Sequence, residues 1–280
     1  MCGPATNMTG MDERAIGRPI VPKEHGAWAV LYGAFLAGVG VAGRVTVPVM
    51  LLLGGVTLLA FVNGALVLAF RSARNRLPAE ERRRVWAWLF IYVAGALMCL
   101  VLLVTWYRMV FLLAFALAAA CLVALRGFFV WEGDLRSLPG ELIGAAGLAL
   151  VGPSAHAVAL QDAQPMGAVL WLLLFLFFAS GVFYVRMRIR VMIAERKGAT
   201  SVSRRARWAC LVYHLLLLVV VPALAVGNLI PWAALLAYGP ALWRATAGLR
   251  RGDAILNVRR LGWSEVGLTA AFVLILVVTL

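Results

Sequence analysis

The chain alternates between long apolar runs and short polar stretches from residue 25 to its end. Each apolar run is 17 to 25 residues long, and about 20 apolar residues in an α-helix cross a hydrocarbon core of roughly 30 Å. A helix satisfies its own backbone hydrogen bonds in lipid, so the pattern predicts an all-α, polytopic membrane helical bundle. The nine predicted transmembrane helices are 25–43, 46–70, 85–107, 109–125, 138–160, 166–185, 208–227, 229–245 and 263–280.

The polar stretches between these runs are too short to fold separately. The sequence therefore predicts a single transmembrane helical domain at 23–280, preceded by an N-terminal tail at 1–22. The tail has no apolar core followed by a small-residue cleavage site, so we expect no signal peptide.

Composition agrees with a membrane protein and narrows the chemistry. Hydrophobic residues make up 64% of the 280 residues, against about 45–50% in a soluble domain. The four cysteines form no CxxC pair, the three histidines lie on different segments, and no HExxH is present. We therefore expect no disulfide framework, no metal site and no cofactor. Nucleotide-binding GxxxxGK[ST] and nucleophile-elbow GxSxG motifs are absent too.

The net charge of +14 is explained by topology. If the segments alternate in direction, 24 of the 26 Lys and Arg residues lie on one side, and only Arg44 and Arg108 lie on the other. Basic loops stay in the cytoplasm, so we expect a cytoplasmic N-terminus and a C-terminus outside. The basic loops would contact anionic membrane lipids, and we expect no nucleic acid partner.

The first segment begins with the polar stretch PKEHGAWAVLYGAF. Pro22, Lys23, Glu24 and Trp28 suit a helix start and an interfacial anchor. His25 is either one more interfacial residue or part of a site, and the site role is favoured because polar groups within membrane segments are costly.

Two faces of this first helix differ in side-chain size. At about 100° per residue, a helical wheel separates an aromatic face with the imidazole from a seam of small residues that lets a neighbouring helix come close. The aromatic face holds His25, Trp28, Tyr32 and Phe35, and the seam holds Ala29, Gly33 and Ala37.

Polar side chains from six segments fall at a similar depth near the cytoplasmic side, which predicts one cytoplasm-facing polar cavity. Its candidate ligand-binding residues are Glu24, His25, Trp28, Tyr32, Asn63, Arg71, Glu141, Tyr184, Arg186, Arg188, His214 and Glu265. His156 lies near the other side, after Gly152-Pro153-Ser154, and we expect a helix kink and an interfacial imidazole there.

Two stretches resemble a known family. PKEHGAWA, with HGAW at its centre, and the late LGWSEVGLTAAF (Leu261–Phe272) are similar to the YwiC-like bacterial membrane proteins, which have no established function. The resemblance implies a multi-pass protein of the bacterial cytoplasmic membrane.

The layout also resembles, more distantly, the UbiA-type intramembrane prenyltransferases. That resemblance implies nine helices in the same orientation and a cytoplasm-side cavity, in which acidic motifs such as NDxxDxxxD hold Mg²⁺ against a prenyl diphosphate. Here Asn63 matches, but Gly64, Val67 and Arg71 stand at the acid positions. Mg²⁺ needs oxygen ligands, so those metal sites cannot form in the same way. Arginines could supply the counter-charge to a diphosphate instead.

Three functions follow from these observations. The favoured one is a membrane protein that binds a lipid, quinone or isoprenoid-type ligand in the polar cavity. One alternative is a divergent prenyl or lipid transferase that uses Arg in place of Mg²⁺. The other is a small-molecule transporter, although the sequence shows no internal repeat and no paired broken helices.

Overall fold

The computed structural model describes residues 19–20, 25–75, 78–131, 137–196, 200–250 and 258–280. In these ranges the chain is helical and contains no strand. The elements are α1 (His25–Ala42), α2 (Val47–Asn75), α3 (Ala79–Thr105), α4 (Leu112–Trp131), α5 (Leu138–Ala149), α6 (Val151–Leu160), α7 (Met166–Arg196), α8 (Thr200–Val226), a 3₁₀ helix (Trp232–Tyr238), α9 (Gly239–Arg250) and α10 (Val258–Thr279).

Within the described ranges, seven helical spans are long and apolar enough to cross a membrane, with α5 and α6 together forming one of them. The predicted all-α membrane bundle is therefore confirmed. The two other predicted segments are shorter in the structure. The first forms α1, which has 18 residues, and the eighth is divided between the 3₁₀ helix and α9.

The eighth segment is not one continuous α-helix because proline interrupts it. Pro240 has no N–H to donate to the carbonyl of Leu236. The N–H of Gly239 bonds to that carbonyl instead, with the tighter i to i+3 spacing of a 3₁₀ helix. The segment regains α-helical geometry only from Gly239 onward.

The kink predicted in the fifth segment separates α5 from α6 at Leu150. Pro153 cannot donate a hydrogen bond to the carbonyl of Ala149, and the helix ends there. His156, which the sequence predicts to be an interfacial imidazole, is buried among the helices. The break allows α6 to pack tightly: a β-carbon on Gly38 of α1 would collide with the carbonyl oxygen of Gly152.

The basic stretches predicted as loops are mostly helical. α2 continues to Asn75 and α3 begins at Ala79, while α7 continues to Arg196 and α8 begins at Thr200. Arg, Glu and Ala have high helix propensity, so the helices continue beyond the apolar runs. Only short connections remain between these helix pairs.

The first helix contacts its neighbours through both predicted faces. On the small-residue face, a β-carbon at Gly33 would lie 2.8 Å from a methyl carbon of Thr269 in α10, so the predicted close approach is confirmed. On the aromatic face, Trp28 contacts Phe61 of α2 with ring centroids 5.3 Å apart. α1 thus packs mainly against α6 and α10 and reaches α2 through the ring of Trp28.

The core of the bundle lies along α7, which contacts α5, α6, α8 and α9. Leu170, Leu173 and Leu174 of this helix are fully buried. Phe177 stacks on Phe272 of α10, with centroids 3.9 Å apart. α7 therefore brings its polar residues, which follow Phe177 in the chain, into the interior of the bundle.

Candidate functional site

A buried polar cluster lies between α7, α8, α9 and α10, centred on Arg244. The side chain of Arg244 is 6% exposed and forms an ion pair with Glu265 of α10. Its Nη2 donates a hydrogen bond of 3.2 Å to Ser180 Oγ of α7. Its guanidinium carbon lies 4.5 Å from the centroid of the Tyr184 ring. These residues, together with His214 of α8, are called the Arg244 cluster below.

Gly248 allows α9 and α7 to bring these side chains together. A β-carbon on Gly248 of α9 would lie 2.5 Å from a ring carbon of Tyr184, so only glycine leaves room for the ring. A β-carbon on Gly181 of α7 would stand 3.4 Å from Glu265 Oε2, at ordinary contact distance. Ser180 donates its own hydroxyl proton to the carbonyl of Phe177 at 2.7 Å, which leaves its oxygen to accept from Arg244.

His214 completes the cluster from α8. Its side chain is buried, and its Nδ1 lies 2.7 Å from the carbonyl oxygen of Cys210. A carbonyl only accepts, so Nδ1 carries the proton and Nε2 presents a lone pair. The Arg244 guanidinium lies within electrostatic range of both His214 and Cys210.

Three buried atoms of the cluster have no hydrogen-bond partner in the described part of the chain: Arg244 Nε, Glu265 Oε1 and His214 Nε2. Each unsatisfied buried polar group costs about 1–3 kcal/mol, and native proteins keep few of them. One donor and two acceptors of the cluster are therefore left unsatisfied by the described part of the chain.

A second ion pair lies closer to the surface. Arg186 Nη1 of α7 lies 3.0 Å from Glu141 Oε2 of α5, with the two side chains 17% and 34% exposed. Ser137 fixes the start of α5, since its Oγ accepts from the N–H of Gly140 at 3.2 Å. The carboxylate of Glu141 is thus held in the first turn of α5.

A groove of about 410 Å³ opens beside this ion pair, between the ends of α5, α7 and α8. Three arginines and several apolar side chains line it, so it combines positive charge with an apolar surface. We call it the arginine groove, and its lining residues are Leu138, Phe183, Arg186, Met187, Arg190, Arg205, Ala206 and Ala209.

A third group is aromatic and joins α1, α2 and α3. Trp28 stacks with Tyr32 at 5.8 Å, and Phe61 stacks with Tyr92 at 5.1 Å. The hydroxyl of Tyr92 donates to the carbonyl of Ile20 at 3.2 Å, which ties the chain ahead of α1 to α3. Trp28 and Tyr32 thus pack against α2 and α3, away from the ion pairs.

The structure brings some of the predicted site residues together and separates others. Tyr184, His214 and Glu265 meet in the Arg244 cluster. Arg188 lies beside it, with its Nη1 3.5 Å from the Tyr184 hydroxyl. Glu141 and Arg186 form their own pair. One cavity lined by all twelve residues stays a prediction.

The remaining predicted residues lie elsewhere or cannot be placed. Asn63 is half-buried on α2. His25 is the first residue of α1, and Arg71 lies within α2, but their side chains are outside the described part of the structure. Glu24 is outside the described residues altogether.

Sequence reasoning missed Arg244, the centre of the cluster. It was counted with the basic loop after the eighth segment, but it is a buried residue of α9. A signal was present, because Arg244 falls inside the apolar run 229–245, where a charged residue is costly and marks a functional hypothesis.

Comparison with known proteins identifies one family. Residues 21–156 match the model of a family described as YwiC-like protein, which confirms the resemblance over just under half of the 280 residues. The matched range includes the HGAW stretch, whereas α7 to α10 lie beyond it. No curated protein matches the chain, and no solved structure matches it.

Proposed function

We propose that this multi-pass membrane protein binds an amphipathic ligand that carries a phosphate headgroup on an apolar tail. The observation that supports this best is the arginine groove of about 410 Å³, whose lining combines Arg190 and Arg205 with apolar residues such as Leu138 and Phe183. A guanidinium group can donate two parallel hydrogen bonds to the oxygens of one phosphate. The apolar side chains of the groove would contact the first part of a lipid or isoprenoid chain.

The proposed orientation places the groove at the cytoplasmic surface. Its arginines lie near the end of α7 and the start of α8, in the most basic stretch of the chain, and basic segments favour the cytoplasmic side. The N-terminus would then be cytoplasmic and the C-terminus outside, in a bacterial plasma membrane. The surface potential of anionic lipids would add about 1 kcal/mol per arginine.

Arg186 has a different role from the other two arginines. Its ion pair with Glu141 fixes its side chain and neutralises one positive charge. Arg190 and Arg205 are both exposed and supply the charge for the headgroup. Substituting these two residues therefore tests the site without breaking the pair that joins α5 to α7.

The test is native mass spectrometry of the purified protein after delipidation and addition of a defined phosphatidic acid or a prenyl phosphate. We expect one bound molecule on the wild type. We expect about tenfold weaker binding of either probe in the Arg190→Ala/Arg205→Ala variant, because charged hydrogen bonds contribute about 1.5–3 kcal/mol each and exposure reduces that figure.

The matched control is Arg82→Ala/Arg83→Ala at the exposed start of α3, which removes the same charge elsewhere. Equal losses in the two double variants would show general attraction to basic surface and would refute a specific site. A preference for one of the two probes would identify the ligand as a phospholipid or an isoprenoid.

A further inference from the structure

The unpaired atoms of the Arg244 cluster identify a second binding site, distinct from the arginine groove. Arg244 Nε can donate one hydrogen bond, and Glu265 Oε1 and His214 Nε2 can each accept one, yet all three are buried without partners in the described chain. Arg244 contacts Glu265 directly and is within electrostatic range of His214, so the three residues are neighbours in the bundle.

The charge of the cluster restricts what can bind there. Arg244 and Glu265 already neutralise each other, and an isolated ion is very costly to transfer into such an environment. An anion would be opposed by Glu265 and a cation by Arg244. The complementary group is therefore uncharged, and it must both donate and accept hydrogen bonds.

We propose that the Arg244 cluster binds the hydroxyl group of an uncharged lipid alcohol. The hydroxyl oxygen accepts from Arg244 Nε, and its proton is donated to His214 Nε2, the lone pair of a side chain that does not already bond Arg244. A hydroxyl both accepts and donates, so a single group of this kind satisfies a donor and an acceptor of the cluster at once.

The proposed alcohol is a lipid because Ser180, His214 and Glu265 lie within helices that are apolar and long enough to span a membrane, so a ligand would enter from the apolar layer. Trp243 precedes Arg244 and is 73% exposed, and Trp263 lies two residues before Glu265 and is 62% exposed. These rings lie on the outer surface of α9 and α10, and exposed tryptophans favour the interfacial layer of a membrane. Glu265, with 21% of its side chain exposed, is the member of the cluster that an entering molecule reaches first.

The experiment uses the full chain in nanodiscs with a diacylglycerol that carries a photoreactive diazirine in one acyl chain. The second probe is the same lipid with its hydroxyl converted to a methyl ether, which can accept a hydrogen bond but cannot donate one. We expect saturable labelling of α9 and α10 by the alcohol, about tenfold weaker labelling by the ether, and competition by unlabelled diacylglycerol only. A tenfold difference corresponds to the loss of one hydrogen bond of about 1.4 kcal/mol.

Each of two variants removes one of the hydrogen-bonding atoms proposed to hold the hydroxyl. In His214→Asn the amide nitrogen can still donate to the carbonyl of Cys210, but the Nε2 acceptor is gone. Arg244→Lys keeps the charge opposite Glu265 and removes the Nε donor. We expect each to lower labelling by the alcohol about five- to tenfold, with no change in Thr246→Ala, an exposed position on α9.

Comparable labelling by the alcohol and its ether would overturn the proposal, as would labelling confined to α3 and α4. This comparison needs no variant, so it holds even if a substituted protein fails to fold. A high-resolution structure in lipid that showed a lone water on Arg244 Nε would also overturn it. None of these outcomes bears on the arginine groove, whose probes are anionic.

Discussion

The two ion pairs of the bundle should differ strongly in what they contribute to stability, because they differ in burial. The side chains of Arg244 and Glu265 are 6% and 21% exposed, against 17% and 34% for Arg186 and Glu141. The same substitution, glutamate to glutamine, removes one charge from each pair with little change in shape.

In Glu265→Gln, the guanidinium of Arg244 stays buried without its counter-charge, although Ser180 Oγ and the glutamine amide oxygen can still accept hydrogen bonds from it. Breaking a buried pair in this way costs about 3–5 kcal/mol. Since Glu265 is partly exposed, we expect a loss of about 3 kcal/mol in the free energy of unfolding, at the low end of that range. In Glu141→Gln, the more exposed Arg186 can turn toward solvent, and we expect a loss of at most about 1 kcal/mol.

A double variant separates the charge effect from a packing effect. Arg244→Met in the Glu265→Gln background removes the buried guanidinium that has lost its counter-charge. A neutral pair of similar size is often as stable as a buried ion pair. We therefore expect the double variant to recover most of the stability that Glu265→Gln loses.

The assay is reversible unfolding in mixed micelles of mild detergent and sodium dodecyl sulfate, followed by tryptophan fluorescence. The reasoning would be refuted if Glu265→Gln and Glu141→Gln changed the unfolding free energy by the same amount. It would fail equally if Arg244→Met added a further loss to Glu265→Gln.

Four further outcomes can be checked. Gly38→Ala should destabilise the protein by about 1–3 kcal/mol, because its β-carbon would collide with the backbone of α6. Gly147→Ala, where a β-carbon meets nothing within 4 Å, should be neutral or slightly stabilising in the same assay. Gly248→Ala should displace the ring of Tyr184 and lower the thermal unfolding temperature, whereas an unchanged temperature would show that the ring has room to move. An alkaline phosphatase fused after Leu280 should be active and a fluorescent protein there dark, since the charge distribution predicts a C-terminus outside; the opposite pattern would contradict the predicted topology.

Much of the fold follows from local features of the sequence. Apolar runs of membrane-spanning length predicted the helices, because a helix in lipid satisfies its backbone without partners. The break between α5 and α6 was equally local, since Pro153 lacks an N–H. The close approach of α1 to α10 was predicted from the spacing of small residues such as Gly33, and the structure confirms it.

The sequence was less informative where one residue type has two roles. Arginines outside the apolar runs are predicted to determine which side of the membrane each loop occupies. Arg244 was grouped with them because it lies near the end of the apolar run 229–245. Its true environment depends on Glu265, Ser180 and Tyr184, which come from two other helices. The 3₁₀ helix before Pro240 was missed for a related reason, since an apolar run does not show where its hydrogen bonds go.

The sequence by itself therefore determined a polytopic helical membrane protein with a strong asymmetry of positive charge. It also identified Tyr184, His214 and Glu265 as polar residues within or beside apolar segments, and therefore as candidate site residues. Only the tertiary structure decided that these three share one cluster around Arg244, while Trp28 and Tyr32 join a separate aromatic group. The physical reason is that hydrophobicity and backbone hydrogen bonding act along one helix, whereas the pairing of buried polar groups depends on how separate helices pack.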